Sequence, residues 1–168
     1  MATQGNGGDA ILSCMQPKRG IDRHKTQNEE TSESRKGGTA MKRELGIARC
    51  GLACCLCREN DHCPGCNAGD CPGREWCENR KCSMDKGVGH CYACDAECKK
   101  GMLAKIKPYG FTLFAKRYGA EALLDCLERN EQAGVVYHRE GITGDYDGFE
   151  DVETLMEFIR TGKRKEAE

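Results

Sequence analysis

The chain has 168 residues, 32 % of them charged, and a formal net charge of −1. Fourteen residues are cysteine and only ten are Phe, Trp or Tyr. Twelve of the cysteines fall between Cys50 and Cys98, which excludes an ordinary apolar core there. No run approaches the ~18 apolar residues of a membrane span, and the balanced charge argues against a nucleic-acid footprint.

Residues 1–40 are rich in Gly, Ser, Thr, Asn, Gln, Lys and Glu and have no apolar period, so they read as a disordered tail or leader. Lys36-Gly37-Gly38-Thr39-Ala40-Met41 is compatible with a purine-rich ribosome-binding sequence ahead of a start codon. The alternatives are a translated leader upstream of a native start at Met41, or a native tail. A secretory signal needs a basic region and then 7–15 apolar residues. The first 20 residues offer only Ala10-Ile11-Leu12. A cytoplasmic location is therefore expected, where thiols stay reduced and clustered cysteines bind metal rather than pair as disulfides.

Residues 41–100 form the cysteine-rich module. Pro64-Gly65, Gly69, Pro72-Gly73 and Gly87-Val88-Gly89 punctuate it and predict loops and tight turns. Cys54/Cys57, Cys63/Cys66 and Cys91/Cys94 are three C-x2-C pairs. Such a turn lets two thiolates face one ion, and zinc takes four in a tetrahedron. Cys50 precedes the first pair, Cys77 and Cys82 lie between the second and third, and Cys98 follows the third by four residues. A helical turn over 94–98 would put Cys94 and Cys98 on one face. The candidate ligands are therefore Cys50, Cys54, Cys57, Cys63, Cys66, Cys77, Cys82, Cys91, Cys94 and Cys98. Ten ligands fit two zinc ions with two spare thiols, or three ions if Cys55, Cys71, His62 or His90 join. Fe–S sites also use four thiolates, so a [4Fe–4S] cluster is the alternative cofactor. Cys50-x3-Cys54-x2-Cys57 also has the spacing of a radical-SAM cluster, but the chain is too short for the barrel such enzymes need. Cys55 and Cys71 are the least obviously ligated, yet neither has a predictable His partner for nucleophilic work.

Residues 101–168 read as a helical segment packed on the module. A short helix over Met102–Lys107 is expected to break at Pro108. Phe111, Phe114 and Tyr118 are spaced for a helix, and Ala120, Leu123, Leu124 and Leu127 form an apolar stripe. Cys126 lies within that stripe and reads as a core residue. Gly134 stands where a helix C′ glycine belongs, and Val135–His138 reads as extended or a minimal strand. Asp147 and Glu150 suggest a capping box for a last helix that buries Val152, Leu155, Met156 and Ile159. Between them, His138, Arg139 and Asp145 form a candidate ligand loop, in which His138 and Arg139 would bind an anion with Asp145 and Asp147 orienting them.

Cys50-Gly51-Leu52-x-Cys54-x2-Cys57, Cys63-x2-Cys66 and Arg80-Lys81-Cys82-x3-Lys86-Gly87-Val88-x2-Cys91-x2-Cys94-x3-Cys98 together resemble the prokaryotic cysteine-rich domain-of-unknown-function 3795 family over residues 47–100. The resemblance implies a small bacterial or archaeal metal-binding module and carries no activity or substrate. Where that family often has Phe-Pro before its last cysteine, this chain has Asp95-Ala96-Glu97. The expected fold is small α+β, mostly α: a metal-stabilised cysteine-rich module followed by a small helical segment. The expected function is a structural-zinc binding or adaptor protein rather than an enzyme. Its partner would be an unidentified protein or small molecule, not nucleic acid or membrane. The alternative is an iron–sulfur or thiol-based redox or metal-handling protein.

Overall fold

The computed structural model describes residues 40–57, 63–68, 75–138 and 143–164, all within the unit Ala40–Glu168. Four α-helices carry the described part: α1 Glu78–Asp85, α2 Ile106–Tyr118, α3 Ala120–Gln132 and α4 Val152–Thr161. The fold is thus small and mostly helical. Among the described residues the β pairing is one isolated antiparallel bridge, Ile47 with Ala53. Val135–His138 forms no strand. It is held instead by Asp145, whose N–H donates to the Val136 carbonyl (2.7 Å) and whose Oδ2 accepts from the Val136 N–H (2.7 Å). One such exchange closes a loop but cannot propagate a ladder. Among the described residues no helix is long and apolar enough to cross a membrane.

Helices α2, α3 and α4 pack pairwise against one another. The stripe on α3 turns Leu123, Leu124, Cys126 and Leu127 inward, and α4 contributes Leu155, Met156, Phe158 and Ile159. Cys126 is a core residue, fully buried. Tyr146, 1 % exposed, sits between the helices with Phe111 (5.3 Å, 90°) and Phe158 (5.2 Å, 68°) edge-on to it. The buried Asn130 side chain donates to the Tyr146 hydroxyl (3.1 Å) and to the Ile159 carbonyl (2.8 Å). It thereby ties α3 to α4 and to the preceding loop, and it leaves none of these polar atoms unpaired in the core.

Three local expectations change. Pro108 does not break a helix, because α2 begins at Ile106 and places Pro108 in its first turn. The first four N–H groups of a helix lack intrahelical partners, so the missing donor costs little there. Met102–Lys107 is accordingly a 3-10 turn, Gly101–Ala104, followed by the start of α2. The cap of α4 is Asp151, which accepts from the Thr154 N–H (2.8 Å), not Asp147. Asp147 is drawn away by Lys107 (2.9 Å) and the Gly144 N–H (2.9 Å). Helix α1 has no apolar stripe to announce it. Its order comes from Cys77 at its N-cap, whose sulfur accepts from the Arg80 N–H (3.4 Å), and from the buried Asn79. The Asn79 side chain donates to the Lys100 carbonyl (3.0 Å) and accepts from the Met102 N–H (2.7 Å).

The cysteine-bearing segments meet the helices at defined points. The Ala53 N–H donates to the buried Tyr137 hydroxyl (3.1 Å), and Thr112 on α2 donates to the Cys50 carbonyl (3.3 Å). Arg43 lies over the acidic face of α3, within 2.9 Å of Glu121, 2.6 Å of Asp125 and 3.1 Å of Glu128. Those pairs are solvent-accessible, so each contributes little.

Candidate metal centre

All ten candidate cysteine ligands lie among the described residues, and none of them is joined in a disulfide. Two of the C-x2-C pairs are built as 3-10 turns, Cys54–Leu56 and Cys91–Ala93. In each the second cysteine's N–H donates to the first one's carbonyl, Cys57 to Cys54 (3.2 Å) and Cys94 to Cys91 (3.1 Å). The i to i+3 bond curls the backbone so that both sulfurs leave on one side.

The sulfurs fall into two neighbourhoods. Cys54 experiences the charges of Cys66, Cys57 and Cys63, and the Cys66 N–H points at its sulfur. This first group joins the two leading C-x2-C pairs. Cys91 experiences Cys98, Cys82, Cys94 and Cys77, and Lys86 experiences Cys94, Cys82 and Cys98. This second group is Cys82, Cys91, Cys94 and Cys98, with Cys77 beside it. Cys50 stands between the groups, influenced by Cys77, Cys66 and Cys91. Residues 94–98 form a bend and an extended stretch rather than a helical turn. Cys94 and Cys98 are thus not set on one face by helical spacing. Among the described residues no three His, Cys, Asp or Glu side chains are closed around a common ion position. The groups are neighbourhoods, not finished coordination shells.

Backbone donors are aimed at the sulfurs. The N–H groups of Leu52, Cys66 and Ala96 act on Cys50, Cys54 and Cys94 and favour the thiolate in each case. Burial works against them. It pushes the Cys50 thiol up to about 12 and the Cys91 thiol to about 11, since a buried negative charge without a counter-ion is unfavourable. A divalent cation would remove that penalty by replacing the proton. Cys94 goes the other way, its thiol drawn down by the Ala96 N–H and by Lys86 Nζ at 3.5 Å. In donor chemistry the thiols present therefore fit a thiophilic ion.

Two arginines brace this region. Arg80 donates to the Cys66 carbonyl (3.3 Å) and so ties α1 to the first group. Arg49 donates to Ser83 Oγ (3.0 Å) and the Val88 carbonyl (3.0 Å), and its own carbonyl accepts from the Cys91 N–H (2.7 Å). The sequence gives neither arginine a role: Arg80 stands only within the Arg80-Lys81-Cys82 pattern, and Arg49 stands in none. Nor does it mark a cleft of about 240 Å³ between the Cys91–Cys98 segment and α2, onto which Cys91, Cys94, Cys98, Tyr109, Thr112 and Lys116 open.

The other candidates are dispersed. Cys55 is buried, and burial pushes its thiol up to about 12, so it stays protonated and poorly nucleophilic. His90 stacks on Tyr92 (4.8 Å, 17°), and its Nε2 is 3.1 Å from the Ile47 carbonyl. His138 is exposed, whereas Asp145 is engaged with Val136. Arg139, His62 and Cys71 lie outside the described residues, as does the 1–39 stretch.

No family model matches the chain, and no curated protein or solved structure is significantly similar to it.

Proposed function

We propose that the protein is a zinc-binding, cysteine-rich cytoplasmic adaptor whose metal sites hold a recognition surface in place. What supports this is the nearness of the Cys54/Cys57 and Cys63/Cys66 pairs to each other and of Cys91 to Cys77, Cys82, Cys94 and Cys98, with an i to i+3 turn in each neighbourhood. Zinc would be held by Cys54, Cys57, Cys63 and Cys66 in the first group and by Cys82, Cys91, Cys94 and Cys98 in the second. Cys50 and Cys77 remain as the two spare thiols of a two-ion arrangement. Bound zinc would supply the positive charge that thiolates need and, at a structural site, folding free energy of about 10 kcal/mol. The resemblance to the domain-of-unknown-function 3795 family points the same way.

The adaptor reading also draws on the surface of α1. Trp76 is 85 % exposed and Met84 54 %. A tryptophan left in solvent beside a rigid cysteine site is suited to insertion into a protein partner.

The test is metal content and visible spectrum of the full chain purified without oxygen. Two colourless zinc per chain is the expected result. A brown protein with iron and acid-labile sulfide would overturn the assignment and make electron transfer or redox sensing the leading function.

A further inference from the structure

Residues 41–46 run as a strap between the first cysteine segment and α3. Arg43–Leu45 is a single 3-10 turn with no buried residue, and Met41, Lys42 and Gly46 are not buried either. Apolar burial therefore does not hold the strap. Polar contacts do. On one side the Met41 N–H donates to Glu131 (3.0 Å), and the Arg43 guanidinium reaches Glu121 (2.9 Å), Asp125 (2.6 Å) and Glu128 (3.1 Å). Carboxylates three and four residues apart on a helix repel one another, so the guanidinium relieves a repulsion that α3 carries in its own sequence. The three ion pairs are open to water, from 36 % exposed at Arg43 to 81 % at Glu121.

On its other side the strap meets Cys55. The Lys42 N–H donates to the Cys55 carbonyl (2.9 Å), and the Cys55 N–H donates to the Gly46 carbonyl (3.0 Å). The Cys55 thiol feels Arg43 from the strap and Glu131 from α3, which places it near the junction of the two, and the residue is 2 % exposed. Beyond the strap the chain is anchored: Ile47 is buried and bridged to Ala53. Gly46, at φ +57° with open space where a side chain would stand, is the hinge between the anchored and the unanchored parts.

We propose that residues 41–46 are an electrostatic latch over a concealed thiol: Arg43 pins the strap to the carboxylates of α3, and screening of those pairs lets the strap turn about Gly46 and uncover Cys55. The latch does not depend on the zinc reading, since Cys55 belongs to neither cysteine group. Salt is its input because the range of a charge falls from about 10 Å at 0.1 M to about 3 Å at 1 M. Nothing apolar then keeps the strap down, and its backbone groups exchange their partners for water.

The experiment uses the full chain purified without oxygen. It is alkylated with iodoacetamide, an uncharged reagent whose approach salt does not steer, at about 0.1 M and about 1 M NaCl. Peptide mass analysis follows each cysteine in time. Cys55 is expected to react several-fold faster at the higher salt, while Cys126, fully buried among the helices, stays protected at both. Arg43→Ala should label Cys55 at low salt as fast as the unmodified sequence does at high salt, and should lose the salt dependence. Arg43→Lys should fall between, because one ammonium cannot span three carboxylates as a guanidinium fork does. Glu121→Gln with Asp125→Asn and Glu128→Gln removes the other half of the latch and should match Arg43→Ala. Cys55 labelling that is equal at both salts overturns the latch, as does labelling in both sets of variants that equals that of the unmodified sequence. Cys126 reacting in step with Cys55 also overturns it, since the opening would then be of the whole molecule.

Discussion

At the scale of single residues, Gly51 and Asn130 show how closely this fold is fitted. Gly51 lies between two residues that serve the cysteine module, at φ +89°, and a Cβ there would be driven into the Pro108 carbonyl oxygen and the Thr112 hydroxyl of α2. Gly51→Ala should cost roughly 2–4 kcal/mol, the sum of left-handed strain and a backbone clash. Gly134→Ala provides the comparison, because Gly134 has φ +91° with open space around it. It should cost about 1–2 kcal/mol, the strain alone. Equal losses in denaturant titrations would show that the approach of Gly51 to α2 carries no weight. Asn130→Ala removes donors from the Tyr146 hydroxyl and the Ile159 carbonyl inside the core, and a loss of roughly 2–4 kcal/mol is expected. A change below about 0.5 kcal/mol in the same titration, the range of neutral surface substitutions, would refute that role. The sequence displayed the glycine as part of a motif but not its reason, since the clash partner lies more than fifty residues away. Asn130 gave no signal, because a polar residue on a helix reads as exposed until its neighbours are known.

At the scale of elements, legibility followed the source of each element's stability. Helices α3 and α4 owe theirs to apolar stripes, and the stripes, with Gly134 and Gly162 ending them, are written in 3.6-residue periods. Helix α1 owes its order to a cysteine cap, two buried polar side chains and an arginine brace, none of which has a period. The C-x2-C turns at Cys54 and Cys91 were legible because the spacing is local, whereas the 3-10 turn at the second pair begins only at Cys66. The division of their sulfurs into two groups was not legible, because it depends on how Cys63–Cys66 returns to Cys54 and how Cys82 on α1 meets Cys91. The α4 cap illustrates competition. Asp147 and Asp151 both precede the helix, and Lys107 claims the first, leaving the second to cap. Asp151→Ala should therefore destabilise the protein by about 1 kcal/mol through loss of the bond to the Thr154 N–H. Thermal unfolding monitored by far-ultraviolet circular dichroism measures it. In Asp147→Ala the same helix should keep its cap, and the loss should instead appear as loosening of residues 143–147.

At the scale of the whole molecule, two kinds of stabilisation are joined along one unit. Helices α2–α4 share a core of Phe111, Leu123, Leu127, Tyr146, Leu155 and Ile159, each under 2 % exposed. The cysteine-bearing segments have little of this. Among their described residues the buried apolar ones are Ile47, Ala48, Cys50, Ala53, Cys55 and Cys66, most of them small, too little to offset the entropy of ordering these segments at about 1–2 kcal/mol per residue. The halves are joined by hydrogen bonds from Ala53 to Tyr137, Thr112 to Cys50, Tyr109 to Glu97 and Lys116 to Cys94, by Arg43 on the acidic face of α3, and by the close approach of Gly51 to α2. On the zinc reading, stripping the metal should therefore divide the molecule rather than melt it evenly. Amide hydrogen exchange after chelation should lose protection over residues 44–57, 63–68 and 75–98 while the cores of α3 and α4 stay protected, since local opening follows the local density of buried contacts. The helical circular dichroism signal should fall by no more than the share of α1 and the 3-10 turns. Loss of protection throughout α3 and α4 in step with the cysteine segments would mean that the helical core depends on the metal after all. Protection unchanged by chelation would mean that the arginine braces and the small apolar cluster suffice without it.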